Sequence, residues 1–170
     1  MLASAATAAD RDSALAYLNA VMPDASIAAN LPDKAALLQI WKNTGKFSGV
    51  SDSDLNALSE DFLRLYTPLY VPRLRDAFVD HFVETFSDED LEKMTACNVG
   101  GDCSPARADA DLVDRARGLA SFGQIAGTRI GSQVGKQITP KLIELVKENA
   151  GGRFQQREAL VAGLEAGAAQ

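Results

Sequence analysis

His81 is the only histidine of the chain, so any Ser/His/Asp or Cys/His arrangement for nucleophilic catalysis would have to be built around it. Asp80 precedes it and Glu84 follows at i+3. Together, Asp80, His81 and Glu84 form the one combination that a metal-dependent or hydrolytic enzyme could use. Bundles that hold two metals with carboxylates need paired Glu-x-x-His motifs, whereas here there is one His and the order is reversed. Such a His more commonly caps or hydrogen-bonds at the edge of a core. No Gly-rich phosphate loop is present, because the glycines from Gly118 to Gly127 repeat with a helical period and do not follow a strand. No catalytic residue, metal or cofactor is therefore expected, and the enzyme reading is the alternative.

Cys97 and Cys103 enclose Asn98-Val99-Gly100-Gly101-Asp102, a stretch that reverses tightly through its glycine pair. A disulfide is the natural expectation, with free thiols as the other reading. Redox catalysis would want two intervening residues rather than five, and zinc would want four ligands. So small a ring would contribute only about 2 kcal/mol, enough to pin a helix connection but not to hold a domain. The acidic runs Ser51-Asp52-Ser53-Asp54 and Ser87-Asp88-Glu89-Asp90 lack the central Gly of a calcium loop. Both read instead as helix-capping boxes, with carboxylates at positive helix N-termini. They are near copies 36 residues apart, but only the caps match, which does not require a repeat.

Gly123, Gly127, Gly131 and Gly135 are spaced one helical turn apart inside a stretch that otherwise reads as one amphipathic helix. Each interior Gly costs about 1 kcal/mol relative to Ala, so close backbone approach must offset the row. The partner is either a helix of the same chain or a second copy, and the row is the expected packing or interface site. Insertion in a membrane is opposed by Gln124, Arg129, Gln133, Lys136 and Gln137, and no apolar run is long enough for a stable span.

The elements that position these residues are helical throughout. The chain has 170 residues, 46% of them hydrophobic and few aromatic, which suits one all-α domain closely packed over small residues. Its net charge is −6, with the acidic excess ahead of Cys97, so neither nucleic acid nor an anionic lipid surface is an expected partner. A first helix spans Asp10 to Met22, and a second opens around Asn30 to Pro32 and ends at Gly45. A third starts at the Ser51 cap and is interrupted at Thr67-Pro68 and Val71-Pro72. Leu74, Phe78, Phe82, Val83 and Phe86 then form another apolar stripe, and Ser87 caps the next helix. A long helix from Asp109 to Thr139 carries the glycines, Pro140 starts another that ends at Gly151-Gly152, and a last one runs from about Arg153 to Leu164. About seven helices in a single domain over residues 10–166 result, with residues 167–170 as a frayed tail. The small residues of positions 1–9 resemble a signal-peptidase cleavage region, a residual leader, with a disordered Ala-rich tail as the other reading. With the cysteine pair, this points to a bacterial periplasm or the extracellular space.

Phe82, Phe86-Ser87-Asp88-Glu89-Asp90-Leu91 and Met94 resemble the Phe-Ser/Thr-x-Glu-Glu-Leu core of the domain-of-unknown-function 2059 family of exported, helical bacterial proteins. The resemblance covers at most about residues 60–145. The family's aromatic pair and Ser/Thr-Pro-x-Gly turn correspond either to Cys97–Cys103 with Ser104-Pro105-Ala106, or to Phe122 with Ala126-Gly127 followed by Pro140. It implies export and a helical fold, and no known activity. The expected role is an exported, non-catalytic domain for protein association, or a structural one, with a protein partner or self-association through a helix face.

Overall fold

The chain, described here from a computed structural model over residues 8–168, is all-α. Among the described residues, eight α-helices and one 3-10 turn make up the regular structure, with no strand. Its contacts group into two compact units. The first comprises the described residues up to Ala29 with Val71–Ile130, and the second Asn30–Tyr70 with the described residues from Gly131 on. Two long helices, α4 (Asp52–Thr85) and α7 (Ala110–Glu148), each supply a segment to both units.

In the first unit, α1 (Arg11–Val21) starts at Asp10, whose carboxylate accepts the Ser13 N–H at 2.6 Å. A short α2 (Asp24–Ala29) follows, and Arg75 of α4 holds it through Asp24 at 2.5 Å. Residues 71–85 of α4 bury Val71, Leu74, Phe78, Val79 and Phe82, and Tyr17 of α1 meets Phe82 edge-on at 5.2 Å. Helix α5 (Asp88–Asn98) realises the expected capping box. Ser87 Oγ accepts the Asp90 N–H, and Asp90 accepts the Ser87 N–H. Cys97 and Cys103 are joined as a disulfide between α5 and the five-residue α6 (Ser104–Ala108). The neighbouring Asn98 donates to the Tyr17 hydroxyl at 2.9 Å. Residues 1–7 of the expected leader lie outside the described residues. Ala8 and Ala9 belong to the fold instead, with Ala9 buried and its N–H donating to Phe86 O.

The second unit packs α3 (Lys34–Thr44), α4 52–70, α7 131–148 and α8 (Arg157–Ala168). Asp33, not Asn30 or Pro32, caps α3, because its carboxylate reaches the Ala36 N–H at 2.8 Å. Gly45 ends α3 at φ 69°, the left-handed conformation in which a missing Cβ removes the steric cost. Helix α8 starts four residues later than the spacing predicts. The N–H groups of Gln155 and Gln156 are taken by the buried Asp54 carboxylate at 2.6–3.2 Å, which holds the entry to α8 out of the helix. Ser51 Oγ still accepts the Asp54 N–H, so only half of the expected capping box forms there. Gly167 lies in α8 rather than in a tail, and residues 169 and 170 lie outside the described residues.

The expected breaks at Pro68, Pro72 and Pro140 do not occur, since α4 and α7 run through all three. A proline inside a helix frees the carbonyl four residues earlier and costs about 3 kcal/mol. Here the freed carbonyls belong to Arg64, Pro68 and Lys136, all exposed residues, where water can take the place of the missing donor. On the other side of α7, Ala126, Ile130, Val134, Ile138, Leu142 and Val146 form an uninterrupted buried ridge at four-residue spacing, which continues past Pro140.

Asp90 is a buried charge anchor of the first unit. Burial alone would raise its pKa, but the Arg115 guanidinium and the Ser87 N–H and hydroxyl outweigh burial and hold it at about 2. The carboxylate is depressed in the folded state, so its stabilisation is complete above the ordinary value of 3.8 and is lost as pH falls toward 2. Asp90→Asn is expected to lower stability by about 2 kcal/mol at pH 7 and to flatten the pH dependence between 4 and 2. Urea unfolding at several pH values measures both.

Candidate functional site

The second unit carries an open groove of about 370 Å³ walled by α3, α4, α7 and α8. Part of its lining is aromatic. Trp41, the chain's only tryptophan, lies 5.5 Å from the Phe47 ring and 5.8 Å, edge-on, from Phe62. Phe62 begins a ladder on one face of α4, with Tyr66 and Tyr70 stacked in turn at 5.0 Å spacings. Burial and the neighbouring Tyr70 push the Tyr66 phenol up to about 12, so it stays a neutral hydrogen-bonding group. Ile40, 48% exposed, continues the apolar lining to the surface, while Leu142 and Leu164 close it below.

Glycine decides which parts of this surface are filled. An alanine methyl at Gly163 would stand 2.5 Å from the Phe47 ring and 2.9 Å from Lys46 O, so the ring lies directly against the α8 backbone. At Gly135 and Gly167, both lining the groove, nothing lies within 4 Å of such a methyl. The expected glycine row is therefore divided. A Cβ at Gly123 would meet Phe78 Cζ at 3.1 Å, and one at Gly131 would meet the Tyr66 hydroxyl at 2.9 Å. Gly127 is half-buried, and Gly135 opens on the groove. Aromatic rings of α4, rather than a second backbone, cover the row where it is covered.

Lys46 and Lys136 are the only charged residues lining the groove among the described residues, and hydroxyls of Thr44, Ser132 and Thr139 complete its polar part. Several other charges of the unit pair with one another. The buried Asp61 accepts from Arg153 at 3.0 and 3.2 Å and from Arg64 at 2.9 Å, and Glu60 pairs with Lys34 at 2.5 Å. The spacing of Phe62, Tyr66 and Tyr70 was the signal for the α4 aromatic ladder, of which Phe62 lines the groove. It is legible in the sequence, but the prolines at 68 and 72 make the same stretch read as a broken helix.

Asp80, His81 and Glu84 do not converge on one point, although Glu84 is near enough to act on His81. Asp80 accepts from Arg11 Nη1 at 2.6 Å, Glu84 is exposed, and the His81 ring lies parallel to Phe122 with centroids 3.9 Å apart. Among the described residues, no three His, Cys, Asp or Glu side chains are placed to hold a metal ion. The cluster of Asp90, Arg115, Lys93 and Asp109 in the same unit is internally paired, at 2.8–3.2 Å. Within the described residues, no helix is long and apolar enough to cross a membrane.

Compared with family models, curated proteins and solved structures, the chain matches none.

Burial lowers the His81 pKa, with Glu84 opposing more weakly. Its NMR titration midpoint is expected below the ordinary 6.5, and Phe122→Ala is expected to move it back up by reopening the ring to water. A midpoint above 6.5 in the unsubstituted protein would contradict the stacked, desolvated placement.

Proposed function

We propose that this chain is a non-catalytic helical module, exported to a bacterial periplasm or beyond, that works by protein association through the groove of its second unit. One observation carries the reading: an apolar lining of exposed Ile40 and part-exposed Trp41 and Phe62, backed by the buried Phe47, surrounds Gly135 and Gly167, where the helix backbones are bare. Apolar side chains left in contact with water are stabilised when a partner covers them, and glycine lets that partner come close. Helix-in-groove recognition uses such a surface, reading apolar anchors one turn apart. The resemblance of Phe82 and Phe86 to Leu91 to the domain-of-unknown-function 2059 family supports export, as does the disulfide between Cys97 and Cys103.

A photo-cross-linker in place of Ile40 tests the reading in cells that make the protein. The expected result is one discrete polypeptide adduct, lost when Gly135→Leu fills the groove. The same cross-linker at the exposed Gln133, which does not line the groove, is expected to give none. Adducts equal at both positions, or absent at Ile40, would contradict it.

A further inference from the structure

The disulfide of the first unit joins cysteines six positions apart, and the loop between them is also closed by hydrogen bonds that do not involve sulfur. Val99 and Gly100 donate their N–H groups to Thr95 O at 2.9 and 3.4 Å, and Asp102 donates its own to Ala96 O at 3.1 Å. The Asp102 carboxylate then accepts the Ser104 N–H at 3.0 Å. Glycine permits the reversal, since a Cβ at Gly100 would stand 2.8 Å from Ala96 O and Gly101 has φ +78°. On the far side of α6, Lys93 of α5 holds Asp109 at 3.1 Å, and Asp109 caps α7 through the Leu112 N–H at 3.0 Å. The two cysteines are thus held side by side by their surroundings as well as by their own bond.

Neither cysteine belongs to the core. Both are part-exposed, and no residue from Cys97 to Ala108 is buried. The buried side chains of α5 are Asp90, Leu91 and Met94, one turn or more before Cys97. A ring this short removes little chain entropy from the unfolded state, and a part-exposed bond lies within reach of an attacking thiolate. We infer that Cys97 and Cys103 form a site of reversible thiol–disulfide exchange in the folded chain, with a dithiol as the co-reactant.

One thiolate of the dithiol attacks a sulfur of the pair. The S–S bond breaks, a mixed disulfide forms, and the other cysteine leaves as a thiolate that takes up a proton. The second thiolate of the co-reactant then attacks its own sulfur in the mixed disulfide and expels the remaining cysteine. Two electrons and two protons pass to the chain, and the co-reactant is left as a disulfide; the reverse sequence restores the bond. Proximity selects the class of co-reactant. After attack by a monothiol, the freed cysteine stands beside the mixed disulfide and re-forms the ring before a second molecule arrives, whereas a dithiol carries its second thiol with it. This exchange is independent of the groove in the second unit.

Three measurements on the full chain test the inference. The double variant Cys97→Ser with Cys103→Ser is expected to keep its helical circular dichroism and a cooperative urea transition; loss of either makes the bond a requirement of the fold and overturns the inference. With dithiothreitol as the dithiol, the rate of reduction is expected to change less than about twofold between buffer and about 1 M urea. Reduction that waits for unfolding would accelerate about fivefold or more over that range, so a rise above twofold, or no reduction of the folded chain, overturns it. Glutathione at the same thiol concentration is expected to leave at least about tenfold less of the chain reduced, with no lasting adduct by mass. An accumulating glutathione adduct, or reduction equal to that by dithiothreitol, overturns the adjacent placement of the thiols and the choice of a dithiol.

Discussion

Bare backbone beneath an aromatic ring is the contact on which both units depend. Phe78 lies against Gly123 in the first unit, and in the second the Tyr66 hydroxyl lies against Gly131 and Phe47 against Gly163. A methyl group would stand within 3.0 Å of the hydroxyl at Gly131 and of the ring at Gly163, and would press on Phe78 at 3.1 Å at Gly123, so the glycine cost of about 1 kcal/mol per site is offset by close packing of a large aromatic side chain. Gly135 and Gly167 have no such ring over them. The same residue type that closes the core at one position leaves a recess at the next, and the groove follows from that difference.

Buried carboxylates do the complementary work at the ends of elements. Asp54 takes the N–H groups of Gln155 and Gln156, Asp61 takes Arg153, and Asp90 takes Arg115. Each is almost fully buried and each has its partners, which is the condition under which a buried charge is tolerable. Asp54 and Asp90 occupy equivalent places, three residues after the cap serines Ser51 and Ser87. The capping signal therefore also marks where each unit ties down a segment distant in sequence.

Much of the fold was legible because local rules and burial agree. The Ser87 capping box, the Gly45 terminus, the cysteine pair, and the period of Ile130, Val134 and Ile138 are where their spacing places them. The prolines misled for a physical reason. Whether an interior proline breaks a helix depends on whether the freed carbonyl reaches water, and Arg64, Pro68 and Lys136 become recognisably exposed only once α4 and α7 are packed. The late start of α8 was hidden in the same way, since Asp54 is about a hundred residues from the N–H groups it captures. The α4 ladder of Phe62, Tyr66 and Tyr70 was legible in principle but lay across a predicted break. Which glycines would be covered was not legible at all, since the covering rings come from α4 and from Phe47 rather than from neighbours in sequence.

Equilibrium unfolding of two single variants, Gly163→Ala and Gly135→Ala, tests this account most directly. Both glycines line the same groove and sit in helices, so propensity alone would stabilise each variant by about 1 kcal/mol. Gly163→Ala is predicted to destabilise by about 1–3 kcal/mol through its collision with Phe47, whereas Gly135→Ala is predicted to stabilise. Two changes of the same sign would contradict the division of the glycines into ring-covered and open positions.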